Sequence, residues 1–239
     1  MGTFVLVSGA WHAGWCWERI VPLLEAQGHR ALAPDLLGMG DNSTPPGAVT
    51  LAGWAEQIAA IVMAQGEPVI LVGHSRGGVV ISAVAERVPD RIASLVYLAA
   101  ALVPSGESLV SHKARLTANP SPPSMIVHDN GTSTCRPEAV GPWFYGMTAP
   151  EWVERAAARL CPEPLAPMTT PLQLTGARFG SVRRAYIECT QDRAMTLVNQ
   201  REMQAILPCA AVATLDSDHS PFYSAPDALV DALLEVAPA

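Results

Sequence analysis

Pro68-Val-Ile-Leu-Val-Gly-His-Ser-Arg-Gly-Gly78 decides the fold. Pro68–Val72 is an apolar run that reads as a buried strand, and Gly78–Val88 is a small-residue helical stretch. Between them stands Gly73-His-Ser-Arg-Gly77, a G-x-S-x-G pentapeptide. The pentapeptide alone is weak evidence. In the order strand, sharp turn, helix it reads as a nucleophile elbow, in which two glycines leave room for a strained turn that lifts the Ser75 hydroxyl clear of the backbone. The helix that follows offers unpaired N–H groups to a developing negative charge. The bland alternative is an ordinary strand–helix turn with Ser75 as an N-cap.

Working outward, the pattern keeps alternating. Phe4–Val7 is a short strand ending at Ser8-Gly9, and Trp15–Ala26 has helical spacing that stops at Gly28. Arg30–Pro34 reads as a second strand and Thr50–Gln65 as a helix capped by Thr50. After the elbow comes a strand at Ile92–Leu98. Later segments read as a strand at Arg184–Cys189, a helix at Asn199–Ile206, a strand at Ala210–Leu215 and a closing helix at Pro226–Val236. Alternating strands and helices with apolar strand interiors imply an α/β fold, a mostly parallel sheet covered on both faces. Residues 104–170 break the pattern. They are rich in Pro, Ser and Thr, with one clear helix at Pro150–Leu160. We read them as a lid inserted into a single domain spanning 1–239, because Trp143-Phe-Tyr145 and Trp152 are too apolar for a disordered linker.

Composition excludes several classes. The 239 residues carry a formal charge of −7, with one lysine, Lys113, and no Lys/Arg run, which argues against nucleic-acid or anionic-membrane partners. No apolar stretch approaches the length of a membrane span, and the N-terminus lacks the basic start of a signal peptide. The five cysteines (16, 135, 161, 189 and 209) are odd in number and unpaired in spacing. They read as free thiols in a reducing cytoplasm, with no metal site and no cofactor implied.

A serine hydroxyl needs a base, and the base an orienting carboxylate. In this arrangement the acid and then the histidine follow the serine in chain order. Of six histidines, only His219 follows a late strand near the chain end. His112 and His128 fall in the insertion as surface or lid residues, and His29 reads as structural. Asp192 ends the preceding strand and is the candidate acid. Asp216 and Asp218 lie too near His219 along the chain and are expected to shape its turn. Two backbone N–H groups should form an oxyanion hole, one from Arg76 and one from the loop Ser8–Gly14, where Ala10 is the best candidate. Trp11, Trp143 and Phe144, with Tyr145, Met147 and Phe222, are candidates for an apolar pocket, each readable equally as core. The Arg76 side chain is expected either to meet an acidic substrate group or to lie on the surface.

These residues resemble a known family. Phe4-Val-Leu-Val-Ser-Gly-Ala-Trp-His-Ala-Gly-Trp-Cys-Trp17, Leu23–His29, Pro34-Asp35-Leu-Leu-Gly38, the Gly73–Gly78 elbow, Tyr186–Asp192 and Asp218-His219 are similar to the small α/β-hydrolases that include plant methyl-salicylate esterases and hydroxynitrile lyases. The resemblance covers about the first hundred and last sixty residues. It implies a Ser75–Asp192–His219 triad with the Ala10 and Arg76 amides as the hole. The chain departs from the family at Ser8, where a histidine is usual. The lyases typically carry a threonine beside the hole, a glutamate before the nucleophile and a lysine after the catalytic histidine; here those positions are Gly9, His74 and Ser220. The expected activity is therefore a serine carboxylesterase acting on small, apolar or aromatic esters through an acyl-enzyme. A hydroxynitrile-lyase-like C–C lyase and a non-catalytic ligand-binding protein are the alternatives.

Overall fold

The computed structural model describes residues 1–117 and 125–237. The chain opens with β1 (Thr3–Val7), one 3-10 turn, then α1 (Ile20–Ala26) and a short β2 (Arg30–Leu32). A loop leads to α2 (Leu51–Met63), whose first turn is closed by Thr50, its hydroxyl accepting from the Gly53 amide at 3.0 Å. Next come β3 (Val69–His74), α3 (Gly77–Arg87) and β4 (Ile92–Leu98). The strand limits at β4 coincide with the apolar run read from the sequence. The first helix is shorter than its spacing suggests, because Gly14–Trp17 tightens into the 3-10 turn before α1 starts.

Between β4 and the next strand of the same sheet, the insertion is more structured than the sequence implies. It holds α4 (Leu109–Lys113), an antiparallel sheet of β5 (Met125–Val127), β6 (Thr132–Cys135) and β7 (Glu163–Pro164), and the helices α5 (Pro137–Phe144), α6 (Pro150–Ala157) and α7 (Ala166–Thr169). Only α6 was foreseen. The rest of the main domain is β8 (Arg184–Cys189), α8 (Leu197–Ile206), β9 (Ala211–Leu215), the short α9 (Pro221–Ser224) and α10 (Pro226–Val236).

The main sheet has six strands in the order β2-β1-β3-β4-β8-β9, all parallel. Alternate residues of each strand face opposite cores. Val5, Val7, Leu71, Leu95, Tyr97 and Tyr186 pack with Trp54, Ile58 and Val62 of α2, Val80 and Val84 of α3 and Met203 of α8. Phe4, Leu6, Ile70, Val72, Val96, Leu98 and Ile187 pack with Ile20 and Leu24 of α1 and Leu229, Val230 and Leu233 of α10. Burial on both faces is why these strands read as continuous apolar runs. In such a sheet every strand points the same way, so the loops leaving β1, β3, β8 and β9 gather at one end, where open α/β sheets place their ligands.

Candidate active site

The elbow is built by close packing. Ser75 sits at φ +52°, in the left-handed region that a non-glycine residue rarely adopts, and its neighbours hold it there. Its amide donates to the Leu98 carbonyl at 3.1 Å, and its carbonyl accepts from the Ala101 amide at 2.9 Å. Two glycines make the geometry possible through close approach. A Cβ on Gly77 would lie 2.8 Å from the Val7 carbonyl oxygen, and one on Gly78 only 2.3 Å from that of Ala101. Because α3 begins at Gly77, its positive end faces the serine.

His219 follows β9, and its Nδ1–H donates to Asp192 Oδ2 at 2.6 Å, with both residues buried. Asp192 is itself held. Its Oδ1 accepts from the amides of Ala194 and Met195, both at 2.8 Å, so a short turn after β8 fixes the carboxylate plane. The other acids turn elsewhere. Asp216 accepts from Thr190 and Gln191. Asp218 ties the His219 loop to the insertion, taking the Ser220 amide and Ser224 hydroxyl on one oxygen and the Met147 amide and Thr148 hydroxyl on the other. His74 Nε2–H donates to the His219 carbonyl at 2.8 Å, and the two rings lie 4.6 Å apart, which sets the His219 backbone beside the elbow.

Two amides stand open near Ser75. Among the described residues, neither the Ala10 nor the Arg76 N–H donates to a protein acceptor. A methyl on Gly9 would come within 2.9 Å of Ser75 Cβ and 2.8 Å of His74 Nδ1, so the β1 loop passes directly against the nucleophile position. The Ser8 hydroxyl donates to the His12 carbonyl at 3.1 Å. His12 Nδ1–H donates to the Ala10 carbonyl at 2.7 Å, and its Nε2 accepts from the Tyr145 hydroxyl at 2.5 Å. Burial lowers the His12 pKa to about 4 and pushes that of His74 well below the ordinary histidine value, so both rings are neutral.

The Arg76 side chain corrects the expectation of a surface or substrate-facing group. It is buried, its Nε 2.7 Å from Glu163 Oε1 of β7, its guanidinium stacked 4.4 Å over the Trp54 ring, and Nη2 donating to the Gly9 carbonyl at 2.8 Å. Burial raises the Glu163 carboxyl above its usual value, against the pull of Arg76. Glu163 also accepts from the Trp11 amide at 3.0 Å. The sequence offered no signal for Glu163, His12 or the Tyr145 hydroxyl, whose roles depend on contacts across more than 80 residues of chain.

Of the apolar candidates, Phe144 lies beside the imidazole, with centroids 5.8 Å from His219 and 5.8 Å from Trp11. The Trp11 indole N–H is directed at the Ser133 carbonyl and hydroxyl of β6, and its backbone is left-handed at φ +60°. Trp143 is half-buried on the flank of α5, without a ring contact among the described residues. Phe222 is fully buried against His74 and Trp17, which makes it core, and Met147 is exposed. His112 is buried rather than superficial, its Nδ1 2.7 Å from Glu107, whereas His128 lies in the β5–β6 hairpin against Thr134. His29 accepts the Gly2 amide and sits edge-on to Phe4. All five cysteines are free, no group of metal-ligating side chains gathers among the described residues, and no described helix is long and apolar enough to cross a membrane.

A strained serine after the third strand, a buried histidine–carboxylate pair after the last two, one open amide at a helix start and one in the β1 loop match the arrangement of the α/β serine hydrolases. The chain belongs to the alpha/beta hydrolase family, whose profile matches residues 4–232. It is 35% identical over 248 residues to a candidate chloroplastic methylesterase (methylesterase 11) of Arabidopsis thaliana, covering 98% of this chain and 63% of that protein. It is 33% identical to the pyrethroid hydrolase of Sphingobium wenxiniae, covering 98% of this chain and 87% of the relative. The crystal structure of a pyrethroid hydrolase from Sphingobium faniae superposes with a TM-score of 0.89 at 30% identity, over 100% of this chain and 98% of the other.

Proposed function

We propose that this protein is a serine carboxylesterase that cleaves small esters bearing apolar or aromatic groups. The observation that carries the reading is the His219–Asp192 bond at 2.6 Å, with the His219 ring packed against His74, the residue before a serine held at φ +52°, and two amides unengaged. Asp192 keeps the proton on Nδ1, which leaves Nε2 free to take the Ser75 proton as Oγ attacks the ester carbonyl. The Ala10 and Arg76 amides stabilise the oxyanion of the tetrahedral intermediate. His219 then protonates the departing alcohol, and a water activated by the same imidazole resolves the acyl-enzyme. Its named relatives support the substrate class, since they include methylesterases and pyrethroid hydrolases. Phe144 supplies aromatic surface beside His219, and Trp11 packs against Phe144.

Cyanohydrin cleavage fits the site poorly. Cyanide leaves as an anion, Ser220 is neutral where a lyase carries lysine, and Gly9 has neither a hydroxyl nor room for one. A purely ligand-binding role leaves the buried histidine–carboxylate pair without a purpose. We also infer that the protein works in the reducing cytoplasm, a reading supported by five unpaired cysteines. The test is to measure p-nitrophenyl acetate and butyrate hydrolysis and mandelonitrile cleavage on one preparation. Ester turnover with negligible cyanide release is expected. Cyanide release faster than ester turnover, or no turnover of either, overturns the reading.

A further inference from the structure

The Gly9–Ala10 peptide unit is held from behind by a charge. Its N–H is one of the two open amides, and its carbonyl oxygen accepts from Arg76 Nη2 at 2.8 Å. No cis peptide bond occurs among the described residues, so the C=O and N–H of this unit point in opposite directions. A cation on the oxygen therefore fixes the peptide plane and draws electron density away from the N–H, on the side where negative charge develops. Arg76 contributes twice: its own amide is the second open donor, and its guanidinium orients the first.

The guanidinium is fixed in turn. Glu163 clamps it at 2.7 Å, and the Trp54 ring lies beneath it at 4.4 Å. Glu163 Oε2 also accepts from the Trp11 amide at 3.0 Å, one peptide beyond Ala10 and at a residue held left-handed at φ +60°. The loop 9–11 is thus gripped at both ends by one ion pair. Glu163 belongs to β7 of the insertion, and its partner across β6, Ser133, receives the Trp11 indole N–H. We propose that Arg76 and Glu163 are positioning residues that orient the Ala10 N–H for the oxyanion, so that the insertion acts on the rate of chemistry and not only on which substrate enters. This rests on the esterase reading above.

The experiment compares the wild type with Glu163→Gln and with the double variant Arg76→Met/Glu163→Leu. The double variant removes both buried charges together, a change that buried pairs often tolerate, whereas either single charge left alone is destabilising. Folding is followed by circular dichroism and thermal melting, with kcat and KM on p-nitrophenyl acetate and Ki for an aryl trifluoromethyl ketone, which adds the serine and forms an oxyanion. Loss of one oxyanion donor costs ~10²–10³ in rate. A donor left in place but no longer oriented or polarised should therefore cost less. For the folded double variant kcat should fall about 10- to 100-fold. KM should stay within about 3-fold and Ki should rise by the factor by which kcat falls, because only interactions made in the transition state act on kcat in this way. Glu163→Gln should show a smaller loss of the same kind. A purely structural pair would lower the melting temperature and leave kcat and Ki of the folded enzyme unchanged. That result, or collapse of both variants, overturns the proposal while wild-type ester turnover stands. A wild type without ester turnover removes the esterase reading and this proposal together.

Discussion

Asp192→Asn separates orientation of the imidazole from every other feature of the site. The structure determines which way the new amide lies. Oδ1 accepts two backbone N–H groups at 2.8 Å, from Ala194 and Met195, so the asparagine oxygen must take that position. Its NH2 then occupies the place of Oδ2 and faces His219 Nδ1 across the 2.6 Å contact. Two donors cannot share that contact, so Nδ1 gives up its proton and Nε2 acquires one. An imidazole in that tautomer cannot accept the Ser75 proton. The expected loss in kcat is roughly 10⁴-fold, the effect of the same tautomer inversion in a serine-protease triad, or about 5 kcal/mol of barrier. The fold should survive, since the volume and both amide bonds are kept. The assay is steady-state hydrolysis of p-nitrophenyl acetate, with circular dichroism as the control for folding. A folded variant within tenfold of wild-type kcat would refute the reasoning. A larger loss in folded Asp218→Asn would show that the wrong carboxylate had been chosen.

Two further outcomes follow from the surroundings. His12 titrates near 4 when folded and near the ordinary ~6.5 when unfolded, so the unfolded chain binds the extra proton first. Stability is therefore full above about pH 6.5 and falls by about 3 kcal/mol as the pH drops to about 4, with no further loss from this group below that. His12→Gln should make this limb shallower in urea denaturation measured across that range, leaving the slope that buried His74 contributes; an unchanged slope would show that His12 is not among the groups responsible. Phe144→Ala should reorder preference among aromatic and short-chain esters by up to about 200-fold, the most that apolar contacts deliver, with a smaller effect on acetate turnover. Trp143→Ala should change that ranking less, since Phe144 is the neighbour of His219, and the reverse order of effects would place the pocket on the other side of α5.

The main sheet was legible because its strands are buried on both faces. Ile92–Leu98, Arg184–Cys189 and Pro226–Val236 have the limits that their apolar runs and flanking breakers suggest. The insertion was not legible, for a different physical reason. Its strands are two to four residues long, half-exposed or polar, and show no sustained alternation. β7 is the extreme case, a Glu-Pro pair in which the charged residue is buried because Arg76 meets it there. The candidate site divides along the same line. Ser75, Asp192 and His219 stand at the ends of readable strands, so chain order alone nominates them, and the structure brings Asp192 and His219 into contact. Arg76–Glu163 and His12–Tyr145 pair residues 87 and 133 positions apart. Nothing local in either partner announces the other. A buried Arg76 was missed because an arginine after an elbow serine reads by itself as a surface residue.

The central claim is that Ser75 carries the acyl group during turnover. It is tested most directly by treating the active enzyme with a fluorophosphonate and following residual esterase activity, intact mass and the labelled peptide on the same samples. The account predicts a single adduct per chain, located on Ser75, with activity lost in proportion to labelling, and no adduct on the folded Ser75→Ala protein. Full inactivation with the label on another residue, or Ser75 fully labelled with activity intact, would contradict it.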